Sequence, residues 1–300
     1  SQIYQATCTA PVNIAVVKYW GKRDSELILP TNDSLSVTLD QDHLRTITTA
    51  RADRAFGSVD DGTRQDRLWL NGVEDEIKEG GRLSSCISEL RRLRAEREAA
   101  DPSLPKVRGA HRAGVTNLQL SSYSLRLCSE NNFPTAAGLA SSASGFAALA
   151  ASVAELYGLR EVLSQSALSR IARRGSGSAC RSLFGGFVAW QSGQHADGSD
   201  SLALEVAPRE DWPDLQVLIC VVNDAKKGTS STAGMQRTVQ TSPLLQHRIK
   251  HVVPERMERM RAAIAARDFS AFTDLTTADS NNFHALSLIH ISEPTRPLYI

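Results

Sequence analysis

Asn132-Phe133-Pro134-Thr135-Ala136-Ala137-Gly138-Leu139-Ala140-Ser141-Ser142-Ala143 is the most informative segment of this chain. A strand-like run with Tyr123, Leu125 and Leu127 in alternation leads into it, and an alanine-rich helix over 143–157 follows, with Gly158 as its stop. Proline, glycine and small side chains at this join gather backbone N–H groups at one helix N-terminus, where partial positive charge favours an anion. A phosphate can approach the backbone there, and Ser141 or Ser142 can add a hydroxyl ligand for phosphate or metal. No Gly-Lys-Ser/Thr follows, so this is not a Walker loop, and the Gly-Leu-Ala-Ser-Ser core alone also fits an ordinary helix start.

A second segment, Thr9-Ala10-Pro11-Val12-Asn13-Ile14-Ala15-Val16-Val17-Lys18-Tyr19-Trp20-Gly21-Lys22-Arg23-Asp24, runs from an apolar strand into three cations set around an aromatic pair and a glycine. Close cations repel unless water or an anion screens them, and Tyr19-Trp20-Gly21 suggests a walled pocket rather than a solvated turn. A third, Arg173-Arg174-Gly175-Ser176-Gly177-Ser178-Ala179-Cys180-Arg181-Ser182, joins serine hydroxyls and backbone amides to guanidinium groups, whose planar fork suits carboxylate or phosphate. Three anion-seeking loops point to a substrate with several negative groups.

These three segments closely resemble the mevalonate diphosphate decarboxylases, a branch of the GHMP kinase superfamily. The likeness continues through Asn32-Asp33-Ser34-Leu35-Ser36-Val37-Thr38-Leu39, Trp69-Leu70-Asn71-Gly72, 231–235, 252–256 and 279–284, and so covers nearly all of residues 1–285. The Pro-x-x-x-Gly-Leu-x-Ser-Ser loop is shared with the kinases, whereas Lys-Tyr-Trp-Gly-Lys-Arg and Gly-Ser-Gly-Ser-Ala-Cys-Arg-Ser look specific to the decarboxylases. The resemblance implies an α+β, GHMP-kinase-like fold: a ribosomal-protein-S5-domain-2-like N-terminal domain over 1–190 and an incomplete ferredoxin-like C-terminal domain over 191–285.

It also implies ATP-dependent decarboxylation of mevalonate 5-diphosphate to isopentenyl diphosphate, with ATP and Mg2+ as cofactors. On that basis Lys18 and Arg181 are the catalytic candidates, Arg181 holding the C1 carboxylate and Lys18 sitting near the reacting hydroxyl and the transferred phosphoryl. Tyr19, Trp20, Gly21, Lys22, Ser176, Gly177, Ser178, Ala179 and Cys180 would bind substrate, together with Arg82, Ser231, Thr232 and Met235 on shorter motifs. Pro134, Gly138, Leu139, Ala140, Ser141 and Ser142 would cradle the nucleotide phosphates, with magnesium bridging them. No residue is assigned as a metal ligand, and the family commonly forms homodimers.

The end of the chain departs from the pattern. The family continues past Asp279-Ser280-Asn281-Asn282-Phe283-His284-Ala285 into a region with a Phe-Asp-Ala-Gly-Pro-Asn segment whose aspartate is the catalytic base, and Asp279 matches a different position. Residues 286–300 resemble nothing in the family and look like translated adapter DNA, which predicts a non-native tail, a truncated or chimeric gene product, and no measurable decarboxylation from residues 1–300. A GHMP small-molecule kinase and an inactive nucleotide-binding fragment are the alternative readings; carbon dioxide released alongside ADP separates decarboxylase from kinase.

Composition is consistent with this class. A chain of 300 residues can bury a substantial core, and a formal net charge of +1, from 34 basic and 33 acidic side chains, gives no overall field to recruit nucleic acid or membrane. No apolar run of membrane-spanning length and no signal-like N-terminus is seen, so a soluble cytoplasmic protein is expected. Five scattered cysteines without a C-x-x-C pair read as reduced thiols. His247 and His251, at i and i+4, read as a solvated helix face rather than a metal pair, and Met235 and Met257 as core or pocket fillers.

Periodicity predicts a half-buried strand over 34–40, a hairpin over 68–77 about Asn71-Gly72, and a helix over 82–98 whose charges are solvated. It further predicts a helix near 166–173, a strand over 186–190, a fully buried strand over 215–222, and helices near 231–238, 247–266 and 269–277. The polar stretch 107–119 is longer than the family resemblance implies and reads as a surface insertion.

Overall fold

The computed structural model describes residues 4–59, 62–101, 119–133, 141–220 and 231–286. The expected insertion at 107–119, apart from Gln119, and the tail beyond Leu286 lie outside the described residues, as do Pro134, Gly138, Leu139 and Ala140. Its contacts divide the chain into two compact units, Ser1–Asn13 with Thr38–Phe184, and Ile14–Val37 with Gly185–Ile300. The units do not follow sequence order: 14–37 joins the second because its strands pair with the sheet formed there.

The first unit is built on an antiparallel run of strands β1 (Tyr4–Pro11), β6 (Arg45–Ala52) and β9 (Leu125–Asn131), extended by the hairpin β7 (Arg67–Leu70) and β8 (Val73–Asp75) in the order β1-β6-β9-β7-β8. β7 lies parallel to β9, a pairing that needs a long crossover, and helix α1 (Arg82–Ala100) lies on it. The hairpin turns at Asn71 and Gly72, both at positive φ (48° and 81°), the geometry that an Asn-Gly pair favours.

Helix α2 (Ser141–Leu156) buries alanines 147, 148, 150, 151 and 154 with Leu149 and Val153 in the core that also holds Ala6, Ala50, Leu125 and Leu127. Small side chains bring it close to the sheet, and Gly158 closes it in the left-handed region at φ 66°. Helix α3 (Gln165–Gly175) starts at Ser164, whose hydroxyl accepts the Ala167 N–H, a cap that stabilises the helix by about 1 kcal/mol. A 3-10 helix, Gly177–Leu183, then stands where the sequence reads as a loop.

The α1 charges are not all solvated, contrary to the expectation from the sequence. Arg94 is fully buried, donating to Glu98 and to the Tyr157 carbonyl, and Arg91 forks onto Asp66. Each long side chain reaches a carboxylate or carbonyl that satisfies its charge inside the unit.

The second unit carries the sheet β11-β10-β5-β2, formed by β2 (Asn13–Val17), β5 (Ser34–Thr38), β10 (Phe187–Trp190) and β11 (Ala203–Ala207), with a small ribbon of β3 (Lys22–Asp24) and β4 (Leu29–Pro30). β5 sits inside the sheet, so Ser34 and Ser36 are buried along with Leu35, rather than alternating with it as a half-exposed strand would. Helices α6 (Val253–Ala266) and α7 (Phe269–Leu286) lay Met257, Met260, Ile264, Phe272 and Leu275 into a core with Val16, Leu35 and Phe187.

The buried strand expected at 215–222 is not formed in its described part, 215–220, where Leu218 is 90% exposed. A run buried on both faces needs a paired strand beside it, and none of the described strands pairs with this one. The single helix expected over 247–266 is instead α5 (Pro243–His247), a π turn over Arg248–Val252, and α6. Pro254 supplies the cause: it has no N–H to give the carbonyl four residues back, and its ring crowds that carbonyl.

Candidate functional site

In the first unit, the N-terminus of α2 meets the start of the 3-10 helix. Ser142 Oγ lies 3.2 Å from Ser176 Oγ, and Ser176 is the residue on which α3 ends and the 3-10 helix begins. α2 has no acidic side chain in its first turn, so its partial positive charge is not cancelled locally. Ser144, one turn along, is tied to Thr46 at 2.7 Å, and Thr46 to Asn131 at 2.6 Å, which fixes the helix start on β6 and β9.

Arg181 is 2% exposed, and its Nε donates to Asn13 Oδ1 at 3.3 Å. The Asn13 amide nitrogen in turn donates to Ser182 Oγ at 2.7 Å and to the Ser178 carbonyl at 3.1 Å. Asn13 thus joins both ends of the Ser178–Ser182 turn and fixes the plane of the guanidinium. Gly177, Ala179 and Cys180 are buried within that turn. Cys180 donates to the Gly177 carbonyl at 3.0 Å, and burial pushes its thiol up to about 12, so it is a neutral packing group rather than a nucleophile. Gly175 is required by packing: a Cβ there would fall 2.0 Å from the Phe146 ring. Arg82 is exposed at the first residue of α1, on a separate element from this serine and arginine set.

The second unit gathers the aromatic and basic segment. Lys18 Nζ donates to the Ala15 carbonyl at 2.9 Å and lies 5.7 Å from the Phe283 ring centroid. Tyr19 meets Trp190 edge-on at 4.7 Å, and Trp20, 3% exposed, meets Phe283 edge-on at 5.1 Å. Lys22 Nζ donates to Thr232 Oγ1 at 3.3 Å, and Met235 packs with Trp20 and Leu245. α4 (Ser231–Thr241) supplies Thr232 and Met235, with Ser231 as its first residue. Gly21 holds φ 97° between Val239 and Thr31, where a Cβ would fall 2.6 Å from Val239.

Sequence reasoning missed Asn13, Asn32, Arg248 and Asp279. Asn32 donates to the Lys18 carbonyl at 3.3 Å. Asn13 carried a readable signal, because an amide inside the apolar run Val12-Asn13-Ile14 must find partners when buried. Nothing in the spacing of Arg248 and Asp279 announces that they are buried. His247 and His251 stack at 5.1 Å on exposed positions, as a solvated face would, and Met257 fills the core.

A family model for the diphosphomevalonate decarboxylase-like N-terminal domain matches residues 10–203, and one for the mevalonate 5-diphosphate decarboxylase C-terminal domain matches 217–294. The diphosphomevalonate decarboxylase of Ganoderma lucidum is 68% identical over 95% of this chain and 66% of its own length; that of Saccharomyces cerevisiae is 53% identical over the same shares. The chain spans about two thirds of the length of such relatives. A crystal structure of mevalonate 5-diphosphate decarboxylase superposes with a TM-score of 0.81 at 52% identity, over 96% of this chain and 68% of that one. The complex of MDDEF with MVAPP, AMPPCP and magnesium superposes at 0.70 with 34% identity, over 97% and 77%.

Proposed function

The chain belongs to the diphosphomevalonate decarboxylase family, and from that premise we propose that the full-length protein performs ATP-dependent decarboxylation of mevalonate 5-diphosphate to isopentenyl diphosphate. The observation that carries the proposal is the buried Arg181 held in plane by Asn13, a fixed guanidinium of the kind that clamps a carboxylate through two parallel bonds.

The chemistry follows from what the substrate lacks. A tertiary hydroxyl leaves poorly, so the C3 hydroxyl of the substrate first gives its proton to a general base as its oxygen attacks the γ-phosphorus of ATP, and ADP departs. The C3–O bond then breaks with loss of phosphate. The electron pair of the C1–C2 bond forms the new alkene as carbon dioxide leaves. Arg181 orients the carboxylate so that the breaking bond is aligned with the leaving group, and it must do so without moving, because misplacement near 1 Å can cost about a hundredfold in rate. Lys18 places positive charge beside the transferred phosphoryl, and Tyr19 and Lys22 hold the diphosphate end.

The donor set at the α2 N-terminus fits a nucleotide with magnesium: hydroxyls from Ser141 and Ser142, small neighbours, and no acid in the first turn. Magnesium, when bound with ATP, offsets phosphate charge there. Relatives of the chain bind MVAPP and AMPPCP with magnesium, which supports the same pair of ligands here. The described residues contain no helix long and apolar enough to cross a membrane; a cytoplasmic homodimer is part of the proposal.

The test is to incubate the full-length protein with mevalonate 5-diphosphate, ATP and magnesium and follow phosphorus resonances. Isopentenyl diphosphate and free phosphate should appear together. A stable triphosphorylated product without phosphate release would support the kinase reading instead.

A further inference from the structure

We propose that Asp279 and Arg248 are positioning residues that hold the Lys18 peptide for catalysis. The inference rests on the role given to Lys18 above, and it concerns residues far from that loop in sequence.

Both groups of the Lys18 peptide are held. Its N–H donates to Asp279 Oδ2 at 2.9 Å, and its carbonyl accepts from Arg248 Nη2 at 2.7 Å. Arg248 and Asp279 are themselves paired at 2.8 Å, each 0% exposed. Arg256 donates to Asp279 Oδ1 at 3.0 Å, and Arg248 Nη1 donates to Asn282 Oδ1 at 2.6 Å. The arrangement is a closed ring: helix acid to backbone N–H, backbone carbonyl to helix guanidinium, guanidinium back to the acid.

A buried ion pair is a poor way to gain stability, since apolar residues of the same volume often do as well. Its use here is directional. Lys18 follows the last residue of β2 and begins an irregular stretch, so no ladder fixes its peptide. The ring supplies the two bonds that a ladder would have given, and the widened turn at Arg248–Val252 contains the arginine that makes one of them. Phe283, on the same helix as Asp279, lies against the Lys18 ammonium, so α7 contacts both the backbone and the side chain of this residue. Asp279 is thereby also committed: a carboxylate engaged with two guanidinium groups and an amide is not available as a general base.

The test uses Arg248→Lys, which keeps a positive charge by Asp279 but cannot reach the Lys18 carbonyl, Asp279 and Asn282 together. Met260→Ala, in the α6 core and away from Lys18, serves as a destabilised control. Amide hydrogen exchange at Lys18 and steady-state kinetics are measured on both in the full-length protein. Exchange at Lys18 should rise at least about tenfold in Arg248→Lys, and kcat should fall by about tenfold to a hundredfold with the KM for ATP within about threefold. Met260→Ala should lower the melting temperature without either effect.

Unchanged exchange or unchanged kcat in Arg248→Lys, or equal effects in Met260→Ala, overturns the proposal. If the wild-type protein releases no carbon dioxide, the functional reading falls, and the exchange result alone decides whether the ring fixes Lys18. If Arg248→Lys does not fold, Asn282→Ala, which removes one acceptor from Arg248 at a half-buried position, must show the same two changes at smaller size. A wild-type-like Asn282→Ala would then count against it.

Discussion

Arg181 and Asn13, 168 residues apart, meet through one buried hydrogen bond of 3.3 Å, and Asn13 continues to Ser182 and the Ser178 carbonyl. Asn13→Ala should therefore act as a milder form of an Arg181 variant. It should lower kcat by about tenfold or more with little change in ATP affinity, because the guanidinium loses its orientation while keeping its charge. Arg181→Lys should cost more, since an ammonium cannot form the planar fork. Steady-state kinetics on both variants check the order.

The hydroxyls at the start of α2 predict a different pattern. Ser141→Ala and Ser142→Ala should act on nucleotide binding or phosphoryl transfer, leaving the affinity for mevalonate 5-diphosphate near wild type. Calorimetric titration with each ligand separates the two. A loss confined to mevalonate 5-diphosphate would move these serines out of the nucleotide site.

Gly21 predicts a backbone effect. Any side chain there meets Val239 and must also adopt φ near 97°, so Gly21→Ala should destabilise by ~1–3 kcal/mol from the strained backbone. Thermal unfolding monitored by tryptophan fluorescence reports it, Trp20 being adjacent.

The buried thiols predict alkaline sensitivity. Burial raises Cys86 and Cys180 from 9.0 to about 12 and is also the main cause that raises Tyr157 from 10.0 to about 12. These groups stay protonated in the folded protein while the unfolded chain ionises, so stability should fall as pH rises from about 9 towards 12. Native alkylation at neutral pH should modify the exposed Cys128 and Cys220 and spare Cys86 and Cys180.

The sequence made plain what local chemistry controls. The Asn71-Gly72 turn, the capped α3, the alanine face of α2 and the Gly158 stop all follow from side-chain size, period and backbone freedom. The lysine, aromatic and glycine segment gathers with Thr232 and Met235 in one unit. What stayed hidden depends on distant partners. Arg94 looks like a surface charge until Tyr157 closes on it, and the pairing of Asp279 shows only once Arg248 and Lys18 arrive. The apolar run at 215–220 shows the converse: its composition reads as buried strand, but a strand needs a neighbour, and the described residues give it none.

The most direct measurement is the stoichiometry of carbon dioxide to ADP, using mevalonate 5-diphosphate labelled at C1 with ATP and magnesium and the full-length protein. One carbon dioxide per ADP, abolished by Arg181→Gln while ATP still binds, is the predicted result. ADP formed with the label retained in a phosphorylated product would contradict it and make the protein a kinase.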